Sequence, residues 1–160
     1  MFEVTLICVG KLKEKFYQAA VDEYTKRLNG FCRLKIFELP EARLSDTPSS
    51  AEINAGLEKE ALLILEKIPK GAWFCIFTPE GKLLSSEALA EKLSTIKTLG
   101  KSSACFLIGS SYGIASSLKS KADFALSMSP MTFPHHLARI MALEQLYRAE
   151  TIQIGSKYHK

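Results

Sequence analysis

Short apolar runs alternate with amphipathic segments along this chain, and the alternation limits the possible folds more than any other feature. Five runs have the apolar and β-branched composition of strands, at residues 3–9, 33–39, 72–77, 104–108 and 124–128. An amphipathic segment follows each run. Strands that alternate with helices favour a parallel sheet with helices on both faces. We therefore predict an α/β fold, with residues 33–39 near the sheet edge because charged and apolar residues alternate there.

Helical periodicity defines the intervening segments. In the first, Phe16, Ala20, Tyr24 and Leu28 recur every four residues and predict one apolar face, which ends at Asn29. We predict further helices at residues 51–67, between a cap at Ser85 or Ser86 and a stop at Gly100, at 114–122 and at 136–152. Residues 40–50 are predicted to form a long loop, and the turn-like sequence at 78–81 is predicted to end the third strand.

Length and composition indicate an ordered protein with one domain over residues 1–160. Apolar residues make up 47% of the chain and charged residues 24%, unlike a disordered protein. The four cysteines lie in apolar contexts without metal-ligand spacing, so we expect buried thiols in a reducing compartment. No signal segment or run of about 18 apolar residues is visible, and we expect a cytoplasmic protein that does not enter membranes. The net charge of +4 is compatible with a polyanionic partner without requiring one.

Three predicted loops follow strands, at residues 78–81, 109–113 and 128–134. In parallel sheets, ligands bind beyond the carboxyl ends of strands, so these loops are expected to form one pocket. The GSSYG sequence at 109–113 is neither GxGxxG nor a P-loop, which argues against dinucleotides and nucleoside triphosphates. Its glycines indicate either a strand-to-helix turn or a close backbone approach to a small ligand.

The C-terminal 35 residues contain most of the chemically active side chains. His135 and His136 open the last helix, where they either cap and pack or present a neutral imidazole to the pocket, since a helix N-terminus disfavours imidazolium. The broad apolar surface of this helix fits either an ordinary core helix or one shared with a symmetric partner. The tail, with Lys157, Tyr158, His159 and Lys160, is either a frayed terminus or a nucleic-acid contact.

At these residues the sequence resembles the SPOUT class of knotted methyltransferases, and within it the ribosomal RNA large-subunit methyltransferase H family. The resemblance covers the whole chain and rests on the order and spacing of four segments: LICVGKLKEKFYQAAVDEYTKRL, FLIGSSYG, ALSMSPMTFPHHLARIMALEQLYRA and IGSKYHK. It implies a C-terminal trefoil knot, a homodimer, and methylation by S-adenosylmethionine of N3 of a pseudouridine in 23S ribosomal RNA. It implies no metal.

The resemblance also assigns site residues. The cofactor positions correspond to Phe77, Gly109, Met128, Ser129, Pro130, Met131, Thr132 and Phe133. Candidates for removing the imide proton, stabilising the anion or contacting the base are His135, Arg139, Tyr158, His159 and Lys160. The family tail lies near the cofactor of the other subunit, so the active site is expected to combine two chains, on the assembled ribosome rather than on free RNA.

Three positions depart from the family pattern. Phe77 replaces a common leucine, Ser110 replaces the second glycine after the fourth strand, and Lys157 replaces a proline before Tyr158. Serine is strained at Ser110 if that position needs a positive φ. Two rival interpretations stay open at this stage: a ribosome-binding module without catalysis, and a related knotted methyltransferase that acts on transfer RNA.

Overall fold

The computed structural model of the chain describes residues 1–160. Its five strands are β1 (Glu3–Val9), β2 (Arg33–Leu39), β3 (Trp73–Leu83), β4 (Ser103–Ile108) and β5 (Phe124–Ser127). Its five helices are α1 (Lys15–Leu28), α2 (Ser50–Leu65), α3 (Ser86–Thr98), α4 (Ser116–Lys119) and α5 (His135–Gln153). Strands and helices alternate throughout, as predicted.

All strands belong to one sheet in the order β2-β1-β4-β3-β5, and every pairing is parallel. This confirms the predicted α/β class and the position of β2 at an edge. β2 lies on one side of β1, whereas β4, β3 and β5 lie on the other. β1 and β4 form the buried centre of the sheet. All six residues of β4 are buried, as are six of the seven in β1.

Alternate residues of the central strands point to opposite faces of the sheet. Leu6, Cys8 and Phe106 face a core formed with α1, α3 and α5. Ile7 and Leu107 face a second core formed with α2, together with the short segment around α4. The helix α5 thus packs on the sheet between two neighbouring helices, and the chain has three helices on one face and two on the other.

Serine caps explain where two helices begin. The Ser49 hydroxyl accepts a hydrogen bond from the Glu52 amide, while the Glu52 carboxylate accepts one from the Ser49 amide, which makes a reciprocal capping box for α2. Ser85 caps α3 by accepting from the Ala88 amide, as predicted. By contrast, α1 and α5 have no side-chain cap and no acidic residue in their first turns.

Several predicted details are wrong. The strand β3 does not end at residues 78–81 but continues to Leu83, because Lys82 and Leu83 pair with β5 again after a bulge. Gly81 allows this, since a Cβ there would come within 2.6 Å of the carbonyl carbon of Leu126. Phe16 is 67% exposed and lies outside the apolar face of α1. The helix α4 spans four residues rather than the predicted nine.

The cysteine prediction is confirmed, because Cys8, Cys32, Cys75 and Cys105 are all free and buried. Burial raises the pKa of Cys8 and Cys75 to about 12, so both thiols stay protonated near neutral pH. None of the five helices combines the length and hydropathy that a membrane crossing requires.

Candidate active site

Two of the predicted cofactor residues line one cavity at the carboxyl end of β3 and β5. The cavity has a volume of about 360 Å³, and its wall includes Phe77 and Met128. The apolar part of the lining consists of Phe77, Leu84, Leu89, Leu126, Met128 and Met141, and the polar part of Ser85, Ser86, Ser127, Glu144 and Gln145. Mostly apolar walls with a few polar groups are typical of small-molecule sites of this size.

A larger cavity, of about 490 Å³, lies between residues 40–45 and α2. It contains none of the predicted site residues. The buried carboxylate of Glu60 accepts a hydrogen bond from the Ala42 amide there and ties the loop to α2. Since this carboxylate anchors the loop and the predicted residues lie elsewhere, the smaller cavity is the better candidate.

The segment from Met128 to Phe133 links β5 to α5. Ser127 donates a hydrogen bond from its hydroxyl to the Ser129 carbonyl, and the Met131 amide donates to the Ser129 hydroxyl, so the segment forms a closed turn. Beyond Met128 the turn faces outward: Pro130, Met131 and Thr132 are exposed, while Ser129 and Phe133 are half-buried. Met128 is therefore the residue of this segment that lines the cavity.

Gly109 follows β4 and does not line either cavity. A Cβ at this position would lie 2.4 Å from the Gly113 carbonyl oxygen, so the turn at 109–113 itself requires glycine. Ser110 does not have a positive φ, and the strain considered for serine is absent. Its buried hydroxyl makes no hydrogen bond.

The start of α5 lies against the loop after β1. A Cβ on Gly10 would be 3.1 Å from Nε2 of His135, and the rings of His135 and His136 are 4.1 Å apart. Burial lowers the pKa of His135, and the neighbouring charges of His136 and Arg139 lower it further against the opposing effect of Glu41. His135 is therefore neutral at pH 7, which its position in the first turn of α5 also favours. It makes no side-chain hydrogen bond.

Arg139, one turn further along α5, has a side chain that is 2% exposed. Its Nη1 donates to Glu38 Oε2 at 2.5 Å, and its Nη2 donates to the Gly10 carbonyl at 2.9 Å. Arg139 therefore joins α5 to β2 and to the loop that contacts His135. The guanidinium therefore does not face solvent, and through these two hydrogen bonds it holds the start of α5 against the loop after β1.

The C-terminal tail folds back along α5. The Tyr158 hydroxyl donates to Glu144 Oε2 at 2.9 Å, and burial together with this hydrogen bond raises the pKa of Tyr158. His159 lies between Arg148, 3.3 Å from Nδ1, and Glu87, 2.8 Å from Nε2. Because Arg148 can only donate, Nδ1 accepts and the Nε2 proton is donated to Glu87.

This network keeps the pKa of the Glu87 carboxyl low, at about 2, through a hydrogen bond from its own backbone amide and another from His159. Both ring nitrogens of His159 are engaged in contacts within the chain. Lys160 is exposed.

The predicted catalytic residues thus form two groups in one chain. We call His135 and Arg139, with their partners Gly10 and Glu38, the α5-start group. We call Tyr158 and His159, with Glu144, Arg148 and Glu87, the tail group. Glu144 follows His135 by nine residues, which is roughly 14 Å along a helix. In one chain, His135 and the residues that contact Glu144 therefore lie at different levels along α5.

The carboxylates of these two groups were not predicted from the sequence. Glu38, Glu87 and Glu144 come from three different elements, and no local pattern distinguishes them from other surface glutamates. One signal was available for Glu144, which precedes Arg148 by four residues, the spacing of a helical ion pair. Gly10 also had a signal, because it follows the carboxyl end of a central strand.

Comparison with known proteins identifies the family. A family described as predicted SPOUT methyltransferase matches residues 2–159. The chain belongs to the SPOUT methyltransferase family. The solved structure of a probable methylase family protein from Haemophilus influenzae Rd KW20 aligns over 100% of this chain and 72% of its own, with a TM-score of 0.55 and 13% identity. That likeness supports the fold alone.

Curated SPOUT relatives are more similar in sequence. The chain is 43% identical over 157 residues to the ribosomal RNA large subunit methyltransferase H of Alkaliphilus oremlandii (strain OhILAs) and 42% identical to that of Clostridium botulinum (strain 657 / Type Ba4). Its identity to the protein of the same name from Clostridioides difficile (strain 630) is 41%. Each alignment covers 98% of this chain and 99% of the relative.

Proposed function

We propose that this protein transfers a methyl group from S-adenosylmethionine to N3 of a pseudouridine in 23S ribosomal RNA. The observation that carries the proposal is the 41–43% identity, over nearly the full length, to relatives named ribosomal RNA large subunit methyltransferase H. A match of this extent includes the cofactor segment, the start of α5 and the tail together.

The residues at the carboxyl end of the sheet fit the proposed cofactor. The cavity beside β3 has the apolar walls that an adenosyl group needs, from Phe77 and Met128. We assign Phe77, Gly109 and the segment from Met128 to Phe133 to cofactor binding. When bound, S-adenosylmethionine supplies the electrophilic methyl group.

The chain's own residues then orient the nucleotide and remove a proton. The imide nitrogen of pseudouridine is a poor nucleophile until its proton is removed. We assign this step to His135, because its neutral imidazole has no hydrogen-bond partner in the chain, with His159 as the alternative. Arg139 acts through Gly10 as a positioning residue, and Tyr158 and Lys160 contact the RNA.

We further propose that the active protein is a homodimer in which each tail completes the partner's site. The roughly 14 Å along α5 between His135 and Glu144, which binds the tail, supports this arrangement. Leu137, Ile140 and Met141 are half-buried at positions i, i+3 and i+4 of α5, an apolar stripe suited to a second copy. Ile140→Glu should yield a monomer that folds but does not methylate, and a fully active monomer would refute the composite site.

The chain path is proposed to include a C-terminal trefoil knot within one domain of residues 1–160. Two observations support it: β5 packs against the bulge of β3 at Gly81, and α5 then returns across the sheet to lie between α1 and α3. The proposed substrate is the assembled ribosome in the cytoplasm, which offers a preformed surface to a protein of this size.

The deciding experiment is transfer of a labelled methyl group to assembled ribosomes, isolated large subunits, naked 23S ribosomal RNA and transfer RNA, with mass spectrometry of the modified nucleoside. We expect 3-methylpseudouridine on assembled ribosomes. Transfer to transfer RNA alone would contradict the proposal. A protein without a saturable S-adenosylmethionine site in calorimetry would be a binding module rather than an enzyme.

A further inference from the structure

An exposed basic and aromatic surface lies next to the start of α5 and has no role in the fold. Lys11 and Lys13 lie just before α1 and Lys15 is its first residue; they alternate with Leu12 and Glu14, and all three lysines are exposed. None of them forms a salt bridge or a side-chain hydrogen bond. Phe16 follows directly, and 67% of it is exposed even though its position in the periodic pattern predicted burial.

The segment that carries the lysines is held firmly. Leu12 is 4% exposed, its amide donates to Glu38 Oε2 at 3.0 Å, and its carbonyl accepts from Gln18 Nε2 at 3.0 Å. Buried Leu12 thereby leaves the flanking Lys11 and Lys13 directed to solvent. Arg139 fixes the same segment through the Gly10 carbonyl. The cations are therefore presented at defined positions rather than on a loose loop.

A row of four rings runs from this surface to the proposed base. The ring centroids of Phe16 and Tyr17 are 4.5 Å apart, those of Tyr17 and His136 are 6.1 Å apart, and those of His136 and His135 are 4.1 Å apart. The successive rings are tilted or edge-to-face, and Phe16 is the exposed one at the outer end of the row. An exposed ring can stack on an unpaired base, and adjacent cations bind the phosphates beside it.

The neighbouring acidic groups do not cancel these charges. Glu38 is already paired with Arg139. Glu14 lies 3.8 Å from Nδ1 of His136 and is the one acidic residue between Lys11 and Tyr17. The first turn of α1 contains no acidic residue. The surface keeps a local excess of positive charge.

We propose that Lys11, Lys13, Lys15 and Phe16 form a binding surface for single-stranded ribosomal RNA next to the target nucleotide. The lysines bind the phosphates of the flanking strand, and the Phe16 ring stacks on an unpaired base. The inference rests on the proposed function, which makes ribosomal RNA the substrate. It adds the surface that holds the RNA strand leading to His135.

The test compares two variants of equal charge. One combines Lys11→Gln, Lys13→Gln and Lys15→Gln. The control combines Lys59→Gln, Lys70→Gln and Lys121→Gln, three exposed lysines in or after α2 and α4, which cover the other face of the sheet. Binding to assembled bacterial ribosomes is measured by sedimentation over a range of salt concentrations, with S-adenosylmethionine affinity and molecular mass measured in parallel.

We expect the first variant to bind ribosomes about 100-fold more weakly at 0.1 M salt, and its salt-dependence slope to fall by about 2 to 3, since each phosphate contact contributes about 0.7 to 0.9. Its KM for ribosomes should rise by the same factor, with kcat, cofactor affinity and mass unchanged. The control should match the wild type. Equal binding by both variants would overturn the proposal.

Phe16→Ala tests the stacking step. We expect ribosome binding to weaken about tenfold, and Phe16→Tyr to restore it, because stacking needs a ring. Leu99→Ala, at another exposed apolar residue, serves as the control. If Phe16→Ala instead converts a dimer to a monomer, a second copy of the chain covers this surface and the RNA assignment is wrong.

These results separate the two proposals. If ribosome binding depends on the lysines but no methyl group is transferred, the RNA-binding surface is supported and the proposed function is contradicted. If none of these substitutions affects methyl transfer, the proposed function is supported and the proposed RNA-binding surface is contradicted. A wild-type protein that does not bind ribosomes would overturn the surface as well.

Discussion

The α5-start group and the tail group hold their polar side chains in different ways. At the start of α5 the Arg139 side chain is 2% exposed and connects three elements. In the tail, the partners His159 and Glu87 are 26% and 62% exposed, and their contact lies at the surface. Buried charges are destabilising when one partner is removed, whereas exposed ion pairs contribute little. The first group is therefore part of the fold, and the second can detach without unfolding it.

The largest expected effect comes from removing the buried cation. Arg139→Met should lower the free energy of unfolding by about 2–3 kcal/mol, because the buried Gly10 carbonyl loses its donor, whereas the 39% exposed Glu38 can be hydrated. Arg148→Met is the matched control, since the Arg148 side chain is 25% exposed and Glu144 keeps the hydrogen bond from Tyr158, and it should cost about 1 kcal/mol or less. Urea denaturation measures both. Equal losses would remove the distinction between the two groups.

Deletion of residues 157–160 should lower the activity strongly and leave the stability almost unchanged. We expect methyl transfer to ribosomes to fall by about 100-fold, the scale of a lost group that positions or exchanges protons with the substrate. The free energy of unfolding should change by less than about 1 kcal/mol, since the tail contacts are largely at the surface. Single-turnover transfer and urea denaturation are the measurements. A truncated protein that unfolds would show that the tail belongs to the core.

Glycine substitutions compare the cost of a side chain in the loop after β1 with its cost just before the tail. Gly10 has a φ of 103° and Gly155, before the tail, a φ of 67°, so alanine is strained at both by about 1–2 kcal/mol. Of the two, only Gly10 has neighbours within 4 Å of its missing Cβ, the His135 ring at 3.1 Å and the His136 ring at 3.9 Å. Gly10→Ala should therefore cost about 1 kcal/mol more than Gly155→Ala. It should also shift the His135 ring resonances, which Gly155→Ala leaves in place.

The smallest effect concerns pH. The lowered pKa of His135 means that the unfolded chain binds its proton more readily than the folded protein does. The free energy of unfolding should therefore fall as pH drops below about 6.5, by less than about 1 kcal/mol at pH 5.5. His135→Gln should remove this part of the pH dependence. An NMR titration that gives His135 a pKa above 6.5 would contradict the assignment of a neutral base.

Local patterns were sufficient for the sheet. Residues 3–9 and 33–39 are β1 and β2 exactly as predicted, because β-branched composition and alternation depend on neighbouring residues alone. The continuation of β3 could not be predicted this way. Lys82 and Leu83 join the strand because they meet β5 more than forty residues later, and nothing in the sequence around Pro79 records that pairing.

The site was predicted less completely for the same reason. The sequence identified Phe77 and Met128, but their shared cavity depends on α3 and α5 coming together around them. Phe16 shows the opposite error. It follows the period of α1, but no core residue covers this position in the first turn of the helix, so the side chain stays exposed. Periodicity predicts which residues share a face, and only the tertiary structure determines how far along the helix that face is covered.

The position of β1 in the sheet affects how the protein is made. β1 pairs on one side with β4, which begins 100 residues later in the chain. At a synthesis rate of about 5–20 residues per second, β1 is synthesised roughly 5 to 20 seconds before β4. Throughout that interval one edge of an apolar strand is open, and Leu6 and Cys8 lack the helix that finally covers them, α5, which is synthesised last. An early interruption of translation would leave the most hydrophobic part of this fold unprotected.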